Sequence, residues 1–213
     1  AANESLFYLR ELLNRIDAPG GVFRAPTGEE EVLAGFPKLA LRSERAPNAT
    51  GAELFGFERT PGPLEVPDGG CLVVLEELLD EEPESWAESA SFFLYAGSRI
   101  PPAARAADAI LPVTGFAEME GSFTNFEGRV QRFGQALRPP GLARPAWLVL
   151  ARLVAELDAR TGPSPLGTVP LEVQEAFRTM GAATPELAGL TWEALGAKGA
   201  LPDRAGRVAA EIP

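Results

Sequence analysis

Glycines and polar side chains that can contact a ligand are concentrated between positions 115 and 132. This segment mixes glycines with carboxylate, hydroxyl, amide and guanidinium side chains: Gly115, Glu118, Glu120, Gly121, Thr124, Asn125, Glu127, Gly128 and Arg129. Glycines let a backbone turn tightly or approach another surface. Arg129 can grip a phosphate or a carboxylate through two parallel hydrogen bonds, and Asn125 can both donate and accept. The segment therefore offers polar groups for a ligand, and Arg129 is its candidate for holding a phosphate or a carboxylate.

An apolar run in front of this segment predicts where it lies. Ala109–Val113 is typical of a buried strand. The stretch at 115–132 is far longer than the roughly two to six residues of an ordinary α/β connection, and long ordered loops are usually functional. In open α/β sheets, ligands bind beyond the carboxyl ends of the strands. We therefore predict a long functional loop at the end of a strand.

A second candidate segment lies upstream, at Pro47–Gly56. Small and polar residues including Asn48 and Gly51 precede the sequence Ala-Glu-Leu-Phe. This pattern predicts a loop that enters a helical turn.

Both candidate segments also have explanations that need no ligand. Asn48 can cap the turn by bonding to its own backbone. In the 115–132 segment, Glu118, Glu120 or Glu127 can pair with Arg129 or Arg132 and pin the loop to the domain. The acidic run Glu29–Glu31 can bind a divalent cation, but we favour a solvated helix start, where acidic residues complement the helix dipole.

The elements that must position these residues follow from apolar spacing. Leu6, Leu9 and Leu13 share one helical face after a possible cap at Asn3. Continuous apolar runs predict buried parallel strands with short helices between them and a buried Cys71: these runs are Cys71–Leu75, Ser91–Ala96 and Ala109–Val113. Two later helices are predicted, one after Pro145 with an apolar face that packs on the sheet and one over Pro170–Met180.

These elements predict the α/β class, with a small mostly parallel sheet, flanking helices and a helical C-terminal segment. We place an α/β domain at 1–142, a helical segment packed on it at 143–213, and an extended tail after Gly199.

Composition excludes several classes of site and partner. The chain of 213 residues has a net charge of −11, one cysteine and no histidine. Because nucleic-acid binders carry a basic patch, nucleic acid is not an expected partner. A cluster of iron and sulfur needs about four cysteine ligands, and zinc sites use Cys and His, so this chain alone builds neither. No apolar run reaches the roughly 18 residues of a membrane-spanning helix.

Three stretches resemble one known family. Asp108–Gln131 contains the pattern Glu-x-x-Gly-Ser-Phe-x-Asn-x-Glu-Gly-Arg-x-Gln, Pro47–Gly56 contains Asn-x-x-Gly-Ala, and Gly189–Gly196 looks like a closing helical motif. In order and spacing they resemble the molybdopterin oxidoreductase superfamily. Within it, they are most similar to the large iron–sulfur subunits of NADH–quinone oxidoreductase, or complex I.

This resemblance implies that the chain belongs to an electron-transport complex but carries out no reaction itself. The chain would be the C-terminal part of such a subunit, and it would scaffold and dock the peripheral arm that carries electrons from NADH to quinone. No catalytic residue, metal ligand or cofactor is expected in it, and iron–sulfur clusters are expected upstream. The implied partners are other peripheral-arm subunits, in the cytoplasm at the inner face of the membrane, without a direct membrane span.

Two other functions remain open. An active molybdopterin oxidoreductase such as a formate dehydrogenase would use the candidate segments to cradle a pterin cofactor: Asn48, Gly51, Gly121, Asn125, Glu127 and Arg129. The resemblance implies that complex I subunits keep the fold and lose this cofactor, so we favour the internal explanation. An unrelated small α/β binding module is the weakest alternative.

Overall fold

The computed structural model describes residues 1–18, 20–25, 27–36, 39–60, 64–66, 68–76, 79–80 and 82–202. Its helices are α1 Asn3–Arg15, α2 Ala49–Leu54, α3 Ala146–Asp158, α4 Val173–Ala183 and α5 Trp192–Leu195. Its strands are β1 Val22–Phe23, β2 Glu31–Val32, β3 Ala40–Leu41, β4 Glu58–Arg59, β5 Cys71–Leu75, β6 Phe92–Gly97, β7 Ala109–Pro112, β8 Gly121–Thr124 and β9 Val130–Phe133. None of the helices so described is long and apolar enough to cross a bilayer.

Strands β5, β6 and β7 form a parallel sheet in that order. Val73 lies opposite Leu94, and Tyr95 lies opposite Ile110. Parallel neighbours require a crossover connection; the two crossovers contain the 3₁₀ turns Glu84–Ala87 and Pro102–Ala106, where short helices were expected. The predicted α/β class is therefore confirmed, with a small parallel sheet flanked by helices.

The predicted burial of Cys71 is wrong. Cys71 is exposed, and Val74 is the one fully buried residue of β5. The physical reason is that β5 lies at the edge of its sheet and Cys71 at the start of that strand. A continuous apolar run therefore does not guarantee a strand that is covered on both faces.

The segment 115–132 is an ordered hairpin, so the prediction of one long loop is wrong. A 3₁₀ turn at Phe116–Glu118 leads into β8, which pairs antiparallel with β9. Gly128 has φ +80°, a conformation that suits glycine in a tight turn. In the sequence, Val130–Phe133 follows Gly121–Thr124 after a short connection that contains Gly128. Two such runs joined by a short glycine-containing connection are the sequence signal for a hairpin.

The main hydrophobic core lies between the helices. Leu6, Phe7 and Leu9 of α1 pack in one cluster with Trp147, Leu150 and Val154 of α3, and with Phe177 and Trp192 further along. The apolar face of α3 therefore packs chiefly on α1, not on the sheet as expected; Ala146, at the start of α3, contacts the sheet through Ala96 and Val113. The cluster joins residues from both sides of position 142, and a domain boundary there stays a prediction. Most of the predicted tail after Gly199 lies outside the described residues.

Arg15 and Asp158 join the ends of α1 and α3. Arg15 Nε donates to Asp158 Oδ1 at 2.7 Å and Nη2 donates to Oδ2 at 3.0 Å. These bonds hold the pKa of Asp158 below its ordinary value of 3.8. The side chains are only 13% and 10% exposed, so this pair is shielded more than a surface ion pair.

We expect Asp158→Ala to lower the free energy of unfolding by about 1–2 kcal/mol, because the hydrogen bonds that Arg15 and Ser164 donate to its carboxylate are lost. Since the pKa of Asp158 is lowered by folding, its contribution is present above pH 3.8 and is lost as the pH falls below that value. Urea titrations measure both effects. Glu84→Ala is the control, since it breaks the exposed Arg105–Glu84 pair and should cost little. Equal losses in the two variants would contradict the prediction.

Candidate functional site

Five polar side chains form a buried polar cluster where α1, α2 and β8 meet. Each is at most 7% exposed: Asn3, Glu4, Asn48, Ser122 and Thr124. Asn3 was expected to cap α1, but the helix begins at Asn3 itself and its side chain makes no cap bond to the helix. Its amide instead donates to Ser122 Oγ at 3.1 Å and Thr124 Oγ1 at 3.0 Å.

The cluster provides hydrogen-bond acceptors for backbone N–H groups on the edge of β8 that does not face β9. Glu4 accepts from the Ser122 backbone N–H at 3.0 Å and from Ser122 Oγ at 2.7 Å. Asn48 Oδ1 accepts from the Thr124 backbone N–H at 2.7 Å. Because Ser122 and Thr124 are two residues apart, their N–H groups point to the same side of the strand. Side chains from distant parts of the sequence thus replace a neighbouring strand.

Two of the predicted site glycines make close approaches within this region. A Cβ on Gly51 would collide with the amide oxygens of Asn48 and Asn3, and a Cβ on Gly121 would lie 2.8 Å from Phe133 Cζ and 3.0 Å from Ala2 Cβ. Three of the candidate residues, Asn48, Gly51 and Gly121, therefore lie in one region. Atoms of the chain itself occupy the space beside the two glycines.

The other three predicted residues lie at the turn of the β8–β9 hairpin. Asn125 Oδ1 accepts from the backbone N–H groups of Glu127 at 3.0 Å and Arg129 at 2.9 Å, a side-chain turn typical of asparagine. Glu127 is exposed. Arg129 Nη1 donates to the Gly199 carbonyl at 3.3 Å.

The hairpin is pinned to the chain by main-chain contacts and not by the expected ion pairs. Val130 exchanges two backbone hydrogen bonds of 2.9 Å with Ala200, and Arg132 donates to the Gly196 carbonyl at 3.0 Å. Glu118 accepts from the Gly115 N–H at 3.0 Å. In the described part of the chain, neither Arg129 nor Arg132 pairs with a carboxylate of the hairpin.

These contacts decide whether the predicted residues fit a pterin cofactor. The amide of Asn48 is engaged in the buried polar cluster, Gly51 and Gly121 face the chain's own atoms, and Arg129 bonds to a carbonyl. A phosphate cradle needs backbone or guanidinium donors that point into open space. The six residues do not form such a cradle here, and we derive no cofactor chemistry from them.

A separate cavity of about 380 Å³ lies at the carboxyl end of the parallel sheet. Its walls come from the residues that directly follow the three strands and from the 116–123 region: Glu76, Ser98, Arg99, Thr114, Phe116 and Phe123. Thr114 Oγ1 and Glu76 Oε1 are buried and have no hydrogen-bond partner among the described residues. The volume falls in the range of small-molecule pockets.

Sequence reasoning predicted a crevice at this edge, and its candidate segment 115–132 includes Phe116 and Phe123, but it missed Glu76, Ser98, Arg99 and Thr114. The available signal was position: Glu76, Ser98 and Thr114 stand immediately or almost immediately after the three apolar runs. Within the ranges that the structure describes, no group of three or more acidic, Cys or His side chains could hold a metal ion.

Comparison with known proteins matches residues 76–156, from the end of β5 to α3, to the molybdopterin oxidoreductase family. The chain is 34% identical over 117 residues to the F420-dependent formate dehydrogenase 2 subunit alpha of Methanococcus maripaludis, which covers 54% of the chain and 16% of the relative. It is 35% identical over 85 residues to the mitochondrial NADH-ubiquinone oxidoreductase 78 kDa subunit of Candida albicans, covering 40% and 12%.

An NADH-quinone oxidoreductase subunit of Rhizobium meliloti aligns over a longer stretch. It is 32% identical over 185 residues, which covers 79% of the chain and 20% of the relative. The chain thus spans a fifth or less of the length of each of these three relatives.

Proposed function

We propose a scaffolding function, starting from the match of residues 76–156 to the molybdopterin oxidoreductase family. The chain is part of the large iron–sulfur subunit of an NADH–quinone oxidoreductase. It holds cluster-bearing domains in place and docks neighbouring subunits of the peripheral arm. The long alignment with the Rhizobium meliloti relative supports this assignment.

The observation that carries the proposal is that the residues suggested as cofactor-binding by the family resemblance contact other parts of the chain. Asn48 bonds to Thr124 of β8, Gly51 and Gly121 lie against the chain's own atoms, and Arg129 joins the hairpin to the Gly199 carbonyl. A segment whose polar side chains are engaged with one another is suited to hold shape, since each buried group is satisfied internally. One cysteine and no histidine leave cluster ligation to other parts of the polypeptide.

In this proposal the chain performs no electron transfer itself. Electrons pass from NADH to quinone through clusters bound outside residues 1–213. The partners are the other peripheral-arm subunits, and the complex lies at the cytoplasmic face of the inner membrane.

A second candidate function is supported by two observations. A formate dehydrogenase alpha subunit aligns at 34% identity, close to the values for the complex I relatives. Thr114 and Glu76 also line the cavity at the carboxyl edge of the sheet, and their buried atoms Thr114 Oγ1 and Glu76 Oε1 lack a hydrogen-bond partner among the described residues. In this alternative the chain is the cofactor-cradling part of an active molybdopterin oxidoreductase.

The deciding experiment is metal and pterin analysis of the full-length protein from its native host. Molybdenum and tungsten are measured by mass spectrometry and pterin by fluorescence after oxidation. The scaffold proposal expects iron without molybdenum, tungsten or pterin. Stoichiometric metal with pterin would reject it in favour of the alternative.

Arg129→Ala tests the scaffold role at one residue. The substitution removes the bond to the Gly199 carbonyl, so we expect the purified complex to lose part of its subunit content while turnover per intact complex is unchanged. Arg152→Ala, an exposed arginine of α3, is the control. Normal subunit content together with selectively lost turnover would contradict the scaffold role.

A further inference from the structure

A small hairpin formed by β2 and β3 projects apolar side chains into solvent. We name it the 29–42 hairpin; its described residues, 29–36 and 39–42, are all exposed. Glu31 lies opposite Leu41, and Val32 lies opposite Ala40. Its acidic start, Glu29–Glu31, was expected to begin a helix, but Glu31 begins β2.

Three leucines share one face of this hairpin. The Leu33 N–H donates to the Leu39 carbonyl at 2.9 Å, which continues the pairing beyond Val32. Because side chains alternate between faces along a strand, Leu33, Leu39 and Leu41 lie on the same face as Glu31. They are 47%, 57% and 49% exposed. We call these three residues the leucine face.

On the opposite face of the hairpin, one side chain contacts a distant part of the protein. Arg42, whose side chain points away from the leucine face, stacks on the Phe126 ring at 3.8 Å from the ring centroid. Arg45 donates to the Glu29 carbonyl at 2.9 Å, and the Gly28 N–H donates to the Ser43 carbonyl at 2.9 Å. Arg42 thus ties the hairpin to Phe126, the bonds from Arg45 and Gly28 close its base, and the leucine face stays exposed.

Charge determines what can cover this face. Glu29, Glu30 and Glu31 have no ion pair within the described residues, and the chain carries a net charge of −11. A second copy would bring like charges together, and an anionic lipid surface would repel them as well. A basic protein surface is attracted, and apolar side chains inside a charged border are typical of interface centres.

We infer that the leucine face docks into an apolar groove, bordered by lysine and arginine, on a neighbouring protein subunit. This inference rests on the proposed scaffold function and adds the surface and the chemistry of the partner. The three leucines fill the groove, and Glu29 and Glu31 pair with its basic border.

The first test is a triple substitution, Leu33→Ser, Leu39→Ser and Leu41→Ser, in the full-length protein purified with its complex from the native host. We expect the content of one neighbouring subunit to fall at least about tenfold, as for the loss of an interface hot spot. The matched control is Leu137→Ser, Leu142→Ser and Leu171→Ser, three leucines that are 59%, 83% and 76% exposed outside the hairpin; it retains that subunit.

Two further measurements identify the occupant. Glu29→Lys with Glu31→Lys, a change confined to exposed side chains, should also release the subunit, most strongly at low salt. A photoreactive benzoylphenylalanine at position 39 should crosslink to one other subunit, at a stretch that contains lysine or arginine beside apolar residues.

The outcomes separate this inference from the proposed function. Full subunit content in both the leucine and the charge variants overturns the docking inference and leaves the scaffold role standing. Crosslinks to a second copy, to lipid or to another part of the same polypeptide also overturn it. A wild-type protein that purifies without any other subunit rejects the scaffold role, and the inference with it.

Discussion

Gly51→Ala is expected to lower the free energy of unfolding by about 3–4 kcal/mol, the sum of overpacking and a disrupted buried polar network. Gly51 lies in α2, where alanine would ordinarily stabilise the helix by roughly 1 kcal/mol. Here the added Cβ collides with the amide oxygens of Asn48 and Asn3. Those amides are held by hydrogen bonds to Thr124 and Ser122, so they cannot move without leaving buried groups unpaired.

Gly181→Ala is the matched control for this experiment. Gly181 also lies inside a helix, α4, but a Cβ there would meet only the Leu187 and Leu190 carbonyl oxygens at an ordinary 3.8 Å. We expect a gain of up to about 1 kcal/mol from helix propensity. Urea titration followed by tryptophan fluorescence measures both variants, since Trp147 and Trp192 lie in the main core. If Gly51→Ala proves as stable as Gly181→Ala, the buried polar cluster is not rigid.

Glu4→Gln is expected to stabilise the protein at pH 8 by roughly 2–3 kcal/mol and to change it little at pH 4.5. Burial raises the pKa of Glu4 from its ordinary value of 4.5 to about 7, although the hydrogen bonds from Ser122 oppose this rise. A glutamine can still accept from the Ser122 N–H and carries no charge to desolvate.

The direction of the pH effect follows from where the proton is held. Below pH 4.5 Glu4 is protonated in both states, and its contribution to stability is complete. Between pH 4.5 and about 7 the unfolded state releases the proton first, so the wild type loses stability as the pH rises. Urea titrations from pH 4.5 to 8.5 measure this slope. Glu186→Gln, an exposed exchange of the same charge, should keep the wild-type profile; the same slope in Glu4→Gln would show that Glu4 is not its source.

Both variants probe the same feature, the attachment of the β8–β9 hairpin to the start of α1. Glu4 and Ser122 are 118 positions apart in the sequence, and Asn48 and Thr124 are 76 apart. If the scaffold role holds, weakening these bonds in the full-length protein reduces assembly before it affects turnover.

Local patterns predicted the main helices and the parallel strands. The spacing of Leu6 and Leu9 and that of Trp147 and Val154 each mark a helical face, because the helix repeat brings such residues to one side. Continuous apolar runs predicted β5, β6 and β7 and their parallel arrangement, because the segments between them are long enough for crossover connections. Thr191, a residue type that favours helix N-caps, caps α5: its side chain accepts from the Ala194 N–H at 3.2 Å.

The local sequence around a residue was less informative about its tertiary contacts. Asn3 resembled a helix cap, yet its amide bonds to β8. The glycines at 51 and 121 looked like openings for a ligand, whereas the chain's own side chains occupy that space. A local window cannot distinguish these cases, because the partner group comes from a distant part of the chain.

The sequence by itself therefore determined the α/β class, the parallel strands, the main helices and the resemblance to one family, since each rests on periodicity or on short ordered motifs. Only the tertiary structure decided that the polar residues of these motifs face one another, that Cys71 lies at an open edge, and that the leucine face of the 29–42 hairpin is uncovered. The physical reason is that the burial and the hydrogen-bond partners of a residue depend on which segments, distant in the sequence, pack against it.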